Sequence, residues 1–276
     1  MNVPFRKYHG TGNDFAVVEA EDLQEGRRRF GKTWCAHYDA DGVLFLDLDA
    51  ESEPPRIGFD LVQPDGSTAA MCGNGARVAA RWGMEQTGDR RFVLDTPAGE
   101  RDVTVHENDS VTVEMGTPTF GPRDVPIDRD EPMIQSPLEG FEVTAVNTGV
   151  PHAVAFVEDV DDIDVDVVGP SIRNAAVFPE GANATFAAIR SDGSFRQRTY
   201  ERGVEGETQS CGTGAVAIVA VADRLGLVDG TDSITVNPPG GELTVTATAG
   251  EPATLSGPTT FEFEETFLFD PDVKTP

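Results

Sequence analysis

Cys72-Gly73-Asn74-Gly75-Ala76 and Cys211-Gly212-Thr213-Gly214-Ala215 are one motif written twice. Each copy runs into small and apolar residues at helical spacing, GARVAARWGM from Gly75 and GAVAIVAVADRL from Gly214. Each cysteine is therefore expected at a helix start. There the first backbone N–H groups lack partners within the helix, and the helix dipole adds partial positive charge. Such a place holds a carboxylate or phosphate without a basic side chain. A thiol beside it is drawn toward the thiolate, a base or nucleophile near neutral pH. One glycine-rich turn with a buried thiol would be ordinary; two at matching places suggest thiols that flank one anion from opposite sides. Around a carboxylate-bearing carbon, one thiolate removes the α-proton and the other thiol delivers a proton to the opposite face. The helix starts stabilise the charge that builds on the carboxylate. That chemistry is racemisation or epimerisation. A pyridoxal phosphate route needs a Schiff-base lysine; of Lys7, Lys32 and Lys274, the last two stand outside any motif. No cofactor is expected.

The elements that must carry these thiols repeat as well. Thr11-Gly12 precedes the apolar run FAVV, and Thr148-Gly149 precedes AVAFV, each about 60 residues before its cysteine. A Pro, small residue, Gly, Glu turn follows each cysteine by 27 to 30 residues, as Pro97-Ala98-Gly99-Glu100 and Pro239-Gly240-Gly241-Glu242. Three landmarks in one order define a duplicated unit of about 120 residues. Further strand-length runs, such as Val43-Leu44-Phe45-Leu46, Val111-Thr112-Val113 and Leu243-Thr244-Val245, are separated by Gly, Pro and Asp clusters. The expected fold class is α+β: two pseudo-symmetric domains of mixed β-sheet or barrel around a central helix, with the active-site cleft between them. The Pro- and Gly-rich stretch 116–122 sets the boundary. Residues 1–116 form the first domain and 117–262 the second, with 263–276 returning to the first.

Composition narrows the function. A hydrophobic share of 38% with 29 glycines matches an ordinary globular chain and excludes wholesale disorder. No stretch approaches the ~18 apolar residues of a membrane span. The opening MNVPFRKYHGTGNDF lacks the basic and then apolar regions of a secretory signal. A cytoplasmic protein with free thiols is expected. Its 48 acids against 21 bases give a net charge of −27, and 18 of those bases are arginine. Nucleic acid needs a basic footprint and is excluded as a partner. The acids are spread along the chain, as in EDVDDIDVD at 158–166. With lysine so scarce they read as a surface suited to high salt, where screening removes self-repulsion, ahead of an acidic face for a basic partner.

Longer motifs stand in order: FRKYHGTGNDF at 5–15, DGS at 65–67, MCGNGAR at 71–77, GVPH at 149–152, FPEGANATF at 178–186, YERG at 200–203 and TQSCGTG at 208–214. Together they resemble the diaminopimelate epimerase family over nearly the whole chain. The resemblance implies a cofactor-independent epimerase that interconverts LL- and meso-2,6-diaminopimelate on the way to lysine, with a homodimer as the expected assembly. It implies that Cys72 and Cys211 are the base and acid, and that Gly73-Asn74 and Gly212-Thr213 hold the reacting carboxylate through their backbones. Asn13, Asn183 and Arg202 would grip the distal end of the substrate, with Arg202 as the fork to its carboxylate. His152 and Glu201 would orient or polarise the thiols. Gln63 and Val150 stand where the family often has substrate-contacting asparagines. Gln63 keeps an amide at longer reach, whereas Val150 loses the polar group.

A proline or hydroxyproline racemase of the same architecture is the nearest alternative, and Asn13, Asn183 and Arg202 argue against it by implying a charged far end. A binding protein with merely buried thiols is the alternative of a different class. Cys35, in Trp34-Cys35-Ala36-His37, reads as a buried free thiol. The four histidines and three cysteines never reach zinc-ligand spacing. Gly10-Thr11-Gly12 is not read as a dinucleotide loop, since no strand is expected before it and no third glycine follows.

Overall fold

The computed structural model describes residues 1–270. Positions 271–276, the end of the expected return segment, lie outside the described residues. The chain forms two compact units, Met1–Val113 with the chain from Gly257, and Glu114–Ser256.

In the first unit β1 (Asn2–Gly10) and β2 (Asn13–Glu19) pair as an antiparallel hairpin. Thr11 and Gly12 between them both take positive φ, 52° and 83°, the turn that suits the twist of a two-residue hairpin. A strand therefore does precede Gly10. It turns into another strand rather than a helix, so the loop is still not a dinucleotide cradle. α1 (Arg27–Tyr38) leads to β3 (Gly42–Asp49), parallel to β2. β4 (Arg56–Val62) runs antiparallel to β3 and pairs with the short β5 (Thr68–Ala69). After α2 (Gly73–Thr87), β6 (Arg91–Thr96) lies parallel to β4. β7 (Gly99–Val105) and β8 (Ser110–Gly116) follow as antiparallel neighbours.

The second unit repeats that sequence of pairings. β9 (Ser136–Leu138) joins β10 (Phe141–Asn147), which is antiparallel to β11 (Pro151–Phe156). α3 (Val165–Arg173) leads to β12 (Asn183–Ile189), parallel to β11. β13 (Phe195–Glu201) runs antiparallel to β12 and carries the short β14 (Gly206–Glu207). After α4 (Gly212–Arg224), β15 (Ile234–Asn237) lies parallel to β13, and β16 (Leu243–Thr246) and β17 (Ala253–Pro258) close the order. Antiparallel, parallel, antiparallel, antiparallel, parallel, antiparallel, antiparallel is the order in both units. The last strand, β18 (Thr260–Leu268), pairs antiparallel with β1.

α2 is buried from Gly73 to Ala80, and α4 from Gly212 to Ala222. A helix apolar nearly all round is enclosed by its neighbours. Strands β1, β4 and β7 pack on α2, while β11, β12 and β16 pack on α4. Their small residues let those strands approach. A Cβ on Gly75 would stand 3.3 Å from Leu44 and Phe59, and one on Gly214 would stand 2.6 Å from Gln197 Nε2. The last residue of each Cys-Gly-x-Gly is glycine where the neighbouring side chains crowd a Cβ.

α1 and α3 extend the two helices expected from periodicity. The apolar face of α1 is Phe30, Gly31, Trp34 and Cys35 amid arginines, and it seats on Val3, Phe5 and Phe45. α3 holds Gly169 and Pro170, which read locally as a turn. Gly169 is required by Tyr200, whose side chain would lie 2.6 Å from an added Cβ.

Candidate active site

Each cysteine of the repeated motif is the N-cap of its helix, and each helix begins two residues earlier than the apolar run alone suggests. Cys72 is extended (φ −146°, ψ 116°), and its Sγ accepts the Gly75 N–H at 3.4 Å. The thiol of Cys72 is half-buried. Asn74, one residue into α2, donates from Nδ2 to Asn13 Oδ1 at 2.7 Å. The Asn13 amide in turn bonds the Asp41 carboxylate, which also accepts the Asp14 N–H at 2.8 Å. Burial pushes the Asp41 carboxyl upward. The sequence-expected Cys72, Gly73, Asn74 and Asn13 are thus brought together in the first unit. Gln63 is not linked to them: its Oε1 accepts from Ser67 Oγ at 3.0 Å within its own turn.

Arg77 was missed from sequence. It is 0% exposed, donating from Nη2 to Thr11 Oγ1 at 2.8 Å and from Nη1 to Gly73 O at 3.4 Å. The available signal was a charged residue within the small and apolar run GNGARVAA.

In the second unit, Cys211 is 4% exposed, and its Sγ lies 3.5 Å from Thr213 Oγ1. Burial, reinforced by the Glu201 carboxylate, pushes this thiol well above the ordinary range. Glu201 itself accepts a short hydrogen bond from Thr208 Oγ1. His152 on β11 places Nε2 2.9 Å from Thr213 Oγ1 and Nδ1 3.0 Å from Thr185 Oγ1. Its tautomer follows from its neighbours. The Arg202 backbone N–H donates to Asn183 Oδ1 at 2.7 Å, which turns Asn183 Nδ2 toward His152 Nε2 at 3.3 Å. Nε2 must then accept, so the ring proton sits on Nδ1 and donates to Thr185. The Thr213 hydroxyl donates to Nε2, while the Cys211 S–H has the Glu201 carboxylate as its acceptor. Burial, with Arg202 adding to it, lowers the pKa of His152 to about 3, so the ring is neutral at physiological pH.

Arg202 follows β13, its Nη1 held by the carbonyls of Glu180 and Gly181 at 3.1 and 3.3 Å. Among the described residues no carboxylate pairs with this guanidinium. Cys211, Thr213, His152, Asn183, Glu201 and Arg202 therefore form one connected group. What sequence missed here is the strand pair Thr185 and Thr199, whose hydroxyls meet at 3.4 Å on the Nδ1 side of His152, since a threonine on a strand is ordinary. Cys35 is buried in α1, and burial pushes its thiol up to about 12. Among the described residues, no group of three or more His, Cys, Asp or Glu side chains is placed to hold a metal ion.

The fold is shared with a hydroxyproline epimerase from Agrobacterium vitis, at TM-score 0.69 over 96% of this chain and 92% of that one, with 17% identity. The family model described as diaminopimelate epimerase matches residues 5–121 and 144–261. Over 266 residues, 92% of either chain, the sequence is 45% identical to a diaminopimelate epimerase from Methanothrix thermoacetophila. It is 35% identical over 280 residues, 96% of either chain, to an O-ureido-serine racemase from Streptomyces lavendulae. The family model and the sequence relatives give the class, an isomerase of the epimerase and racemase kind. This chain belongs to the diaminopimelate epimerase family.

Proposed function

We propose that the protein interconverts LL- and meso-2,6-diaminopimelate in lysine biosynthesis, by proton transfer between the α-carbon and two cysteines. The observation that carries this reading is the duplicated N-cap: Cys72 on α2 and Cys211 on α4, each opening a helix whose first amides belong to Gly73-Asn74 and Gly212-Thr213. In one direction the Cys72 thiolate takes the α-proton and becomes a thiol, while Cys211 gives its proton to the opposite face and becomes a thiolate. The return direction exchanges the roles. The amides of Gly73-Asn74 and Gly212-Thr213 hold the α-carboxylate, where charge grows as the C–H bond breaks. No pyridoxal is needed, because the helix starts stabilise that charge. On family grounds the working form is a cytoplasmic homodimer.

Arg202 takes the distal carboxylate. Losing a charge-assisted partner costs about 1.5–3 kcal/mol, so Arg202→Met should weaken diaminopimelate affinity by about one to two decades. Competition kinetics against lysine, which lacks that carboxylate, checks this; unchanged discrimination removes Arg202 from the distal anchor.

The O-ureido-serine racemase relative supports a second reading, the same proton transfer on a different amino acid. Val150 and Gln63 are where the distal pocket departs from the family pattern. Incubation in D2O with diaminopimelate, O-ureido-serine, proline and lysine separates the two readings through deuterium at the α-carbon. Diaminopimelate should exchange fastest. Exchange with another substrate and none with diaminopimelate would overturn the assignment.

A further inference from the structure

Arg77 is a fully buried cation on a helix whose neighbouring residues Ala76, Val78, Ala79 and Ala80 are all small or apolar and buried. A guanidinium in such a place ordinarily has a carboxylate, because an uncompensated buried charge is costly. Here its hydrogen bonds go to two neutral oxygens, Thr11 Oγ1 and Gly73 O, and its Nε finds no partner among the described residues. β1 closes over it: a Cβ on Gly10 would stand 3.3 Å from Nη2 and 3.4 Å from the Asn74 carbonyl oxygen. On the surrounding strands Lys7 is held by Asp14 and Glu262 and Arg56 by Asp95, while Glu85 further along α2 accepts the Tyr8 hydroxyl. Among the described residues no carboxylate lies within ion-pair reach of Arg77.

We infer that Arg77 is the built-in counter-charge of the Cys72 thiolate, a positioning residue that acts on proton transfer through Cys72 without touching substrate. This rests on Cys72 as the proton-transfer thiol of its unit. The guanidinium reaches back along α2 to the carbonyl of Gly73, the residue that follows Cys72. Burial draws Arg77 down to about 10, and the Cys72 thiolate is the one charge that opposes this. The guanidinium keeps its proton at neutral pH. A cation fixed this way meets its counter-charge only when the thiol ionises, so it favours the thiolate at the moment the base is required.

The test is the pH dependence of Cys72 alkylation by iodoacetamide, resolved from Cys35 and Cys211 by peptide mass spectrometry. Arg77→Met should raise the midpoint by about one unit or more, slowing alkylation near pH 7 about tenfold. Arg77→Lys, which keeps the charge, should stay close to the unmodified protein. A folded Arg77→Met whose curve superimposes on that of the unmodified protein overturns the inference. Where that variant fails to fold, the unmodified chain still decides. Its Cys72 midpoint should lie below that of the same thiol in urea-unfolded protein, and a midpoint no lower when folded overturns the inference. Alkylation needs no substrate, so a negative result here leaves α-deuterium exchange as a separate test of the reaction.

Discussion

The two helix starts share a backbone and a glycine N–H at each sulfur, and differ in the side chains around it. Cys72 is half-buried, accepts the Gly75 N–H, and lies on a helix that carries the buried Arg77. Cys211 is buried, meets the Thr213 hydroxyl, and is acted on by the Glu201 carboxylate, with neutral His152 beyond Thr213. One thiol has a cation in its unit's core; the other has an anion and a deeper burial that hold its proton in place. A duplicated unit thus supplies two equivalent positions, and the side chains that diverged around them decide which sulfur keeps its proton. The proposed reaction needs one base and one acid at once, and these surroundings favour the thiolate at Cys72 and the thiol at Cys211 in the resting pair.

The largest expected effect removes either member of the pair. Cys72→Ala and Cys211→Ala should each lower kcat/KM for epimerisation at least about a hundredfold in both directions, since positioned acid–base groups contribute 10²–10⁴-fold. Near-normal turnover by either variant, measured by following conversion of each stereoisomer, would break the comparison at its root.

A smaller effect separates the sulfurs without substrate. At pH 8 iodoacetamide should modify Cys72 at least about tenfold faster than Cys211, because alkylation follows the thiolate and its access. Cys35, with its thiol pushed to about 12 in the α1 core, should likewise react far more slowly than Cys72. Equal rates at Cys72 and Cys211 would mean that Glu201 and burial do not distinguish the second half-site.

The repeat itself was legible because it rests on backbone demands. Thr11-Gly12 and Gly149 mark turns with positive φ, and a Cβ would be crowded at Gly75 and would collide at Gly214. Such positions constrain residue type locally, so they show in the letters. FAVV and VLFL fall within β2 and β3, and AVAFV lies in β11 up to Phe156, since alternation and β-branching are local too. α1 and α3 did not show, because their burial comes from partners distant in sequence, such as Phe269 against Phe30 and Tyr200 against Gly169. The protonation contrast was invisible for the same reason. Arg77 owes its meaning to an enclosed setting that β1 completes, and His152 owes its tautomer to the backbone of Arg202, 50 residues further along.

The smallest effect tests the imidazole that distinguishes the second half-site. The pKa of His152 falls from the ordinary 6.5 to about 3 in the folded protein, chiefly by burial. Between those values the unfolded chain binds a proton that the folded chain refuses. Unfolding is therefore favoured as pH drops, and stability is lost going down from about 6.5, at up to about 1.4 kcal/mol per pH unit. From pH 7 to pH 5 this amounts to about 2 kcal/mol. Asp41 works in the opposite sense, because its carboxyl is raised by burial and the folded state takes up its proton more readily. That contribution is common to any His152 variant and cancels in the comparison. His152→Gln cannot titrate, so it should lose about 2 kcal/mol less than the unmodified protein over this range, although it starts lower from broken hydrogen bonds to Thr185 and Thr213. Urea unfolding at pH 7 and pH 5 checks this. Molar salt should be kept constant so that the −27 surface is screened. Parallel losses in the two proteins would mean that His152 is protonated when folded. The Thr213 hydroxyl would then have no acceptor in the ring, and Cys211 would lose the hydrogen-bonded chain that sets it apart from Cys72.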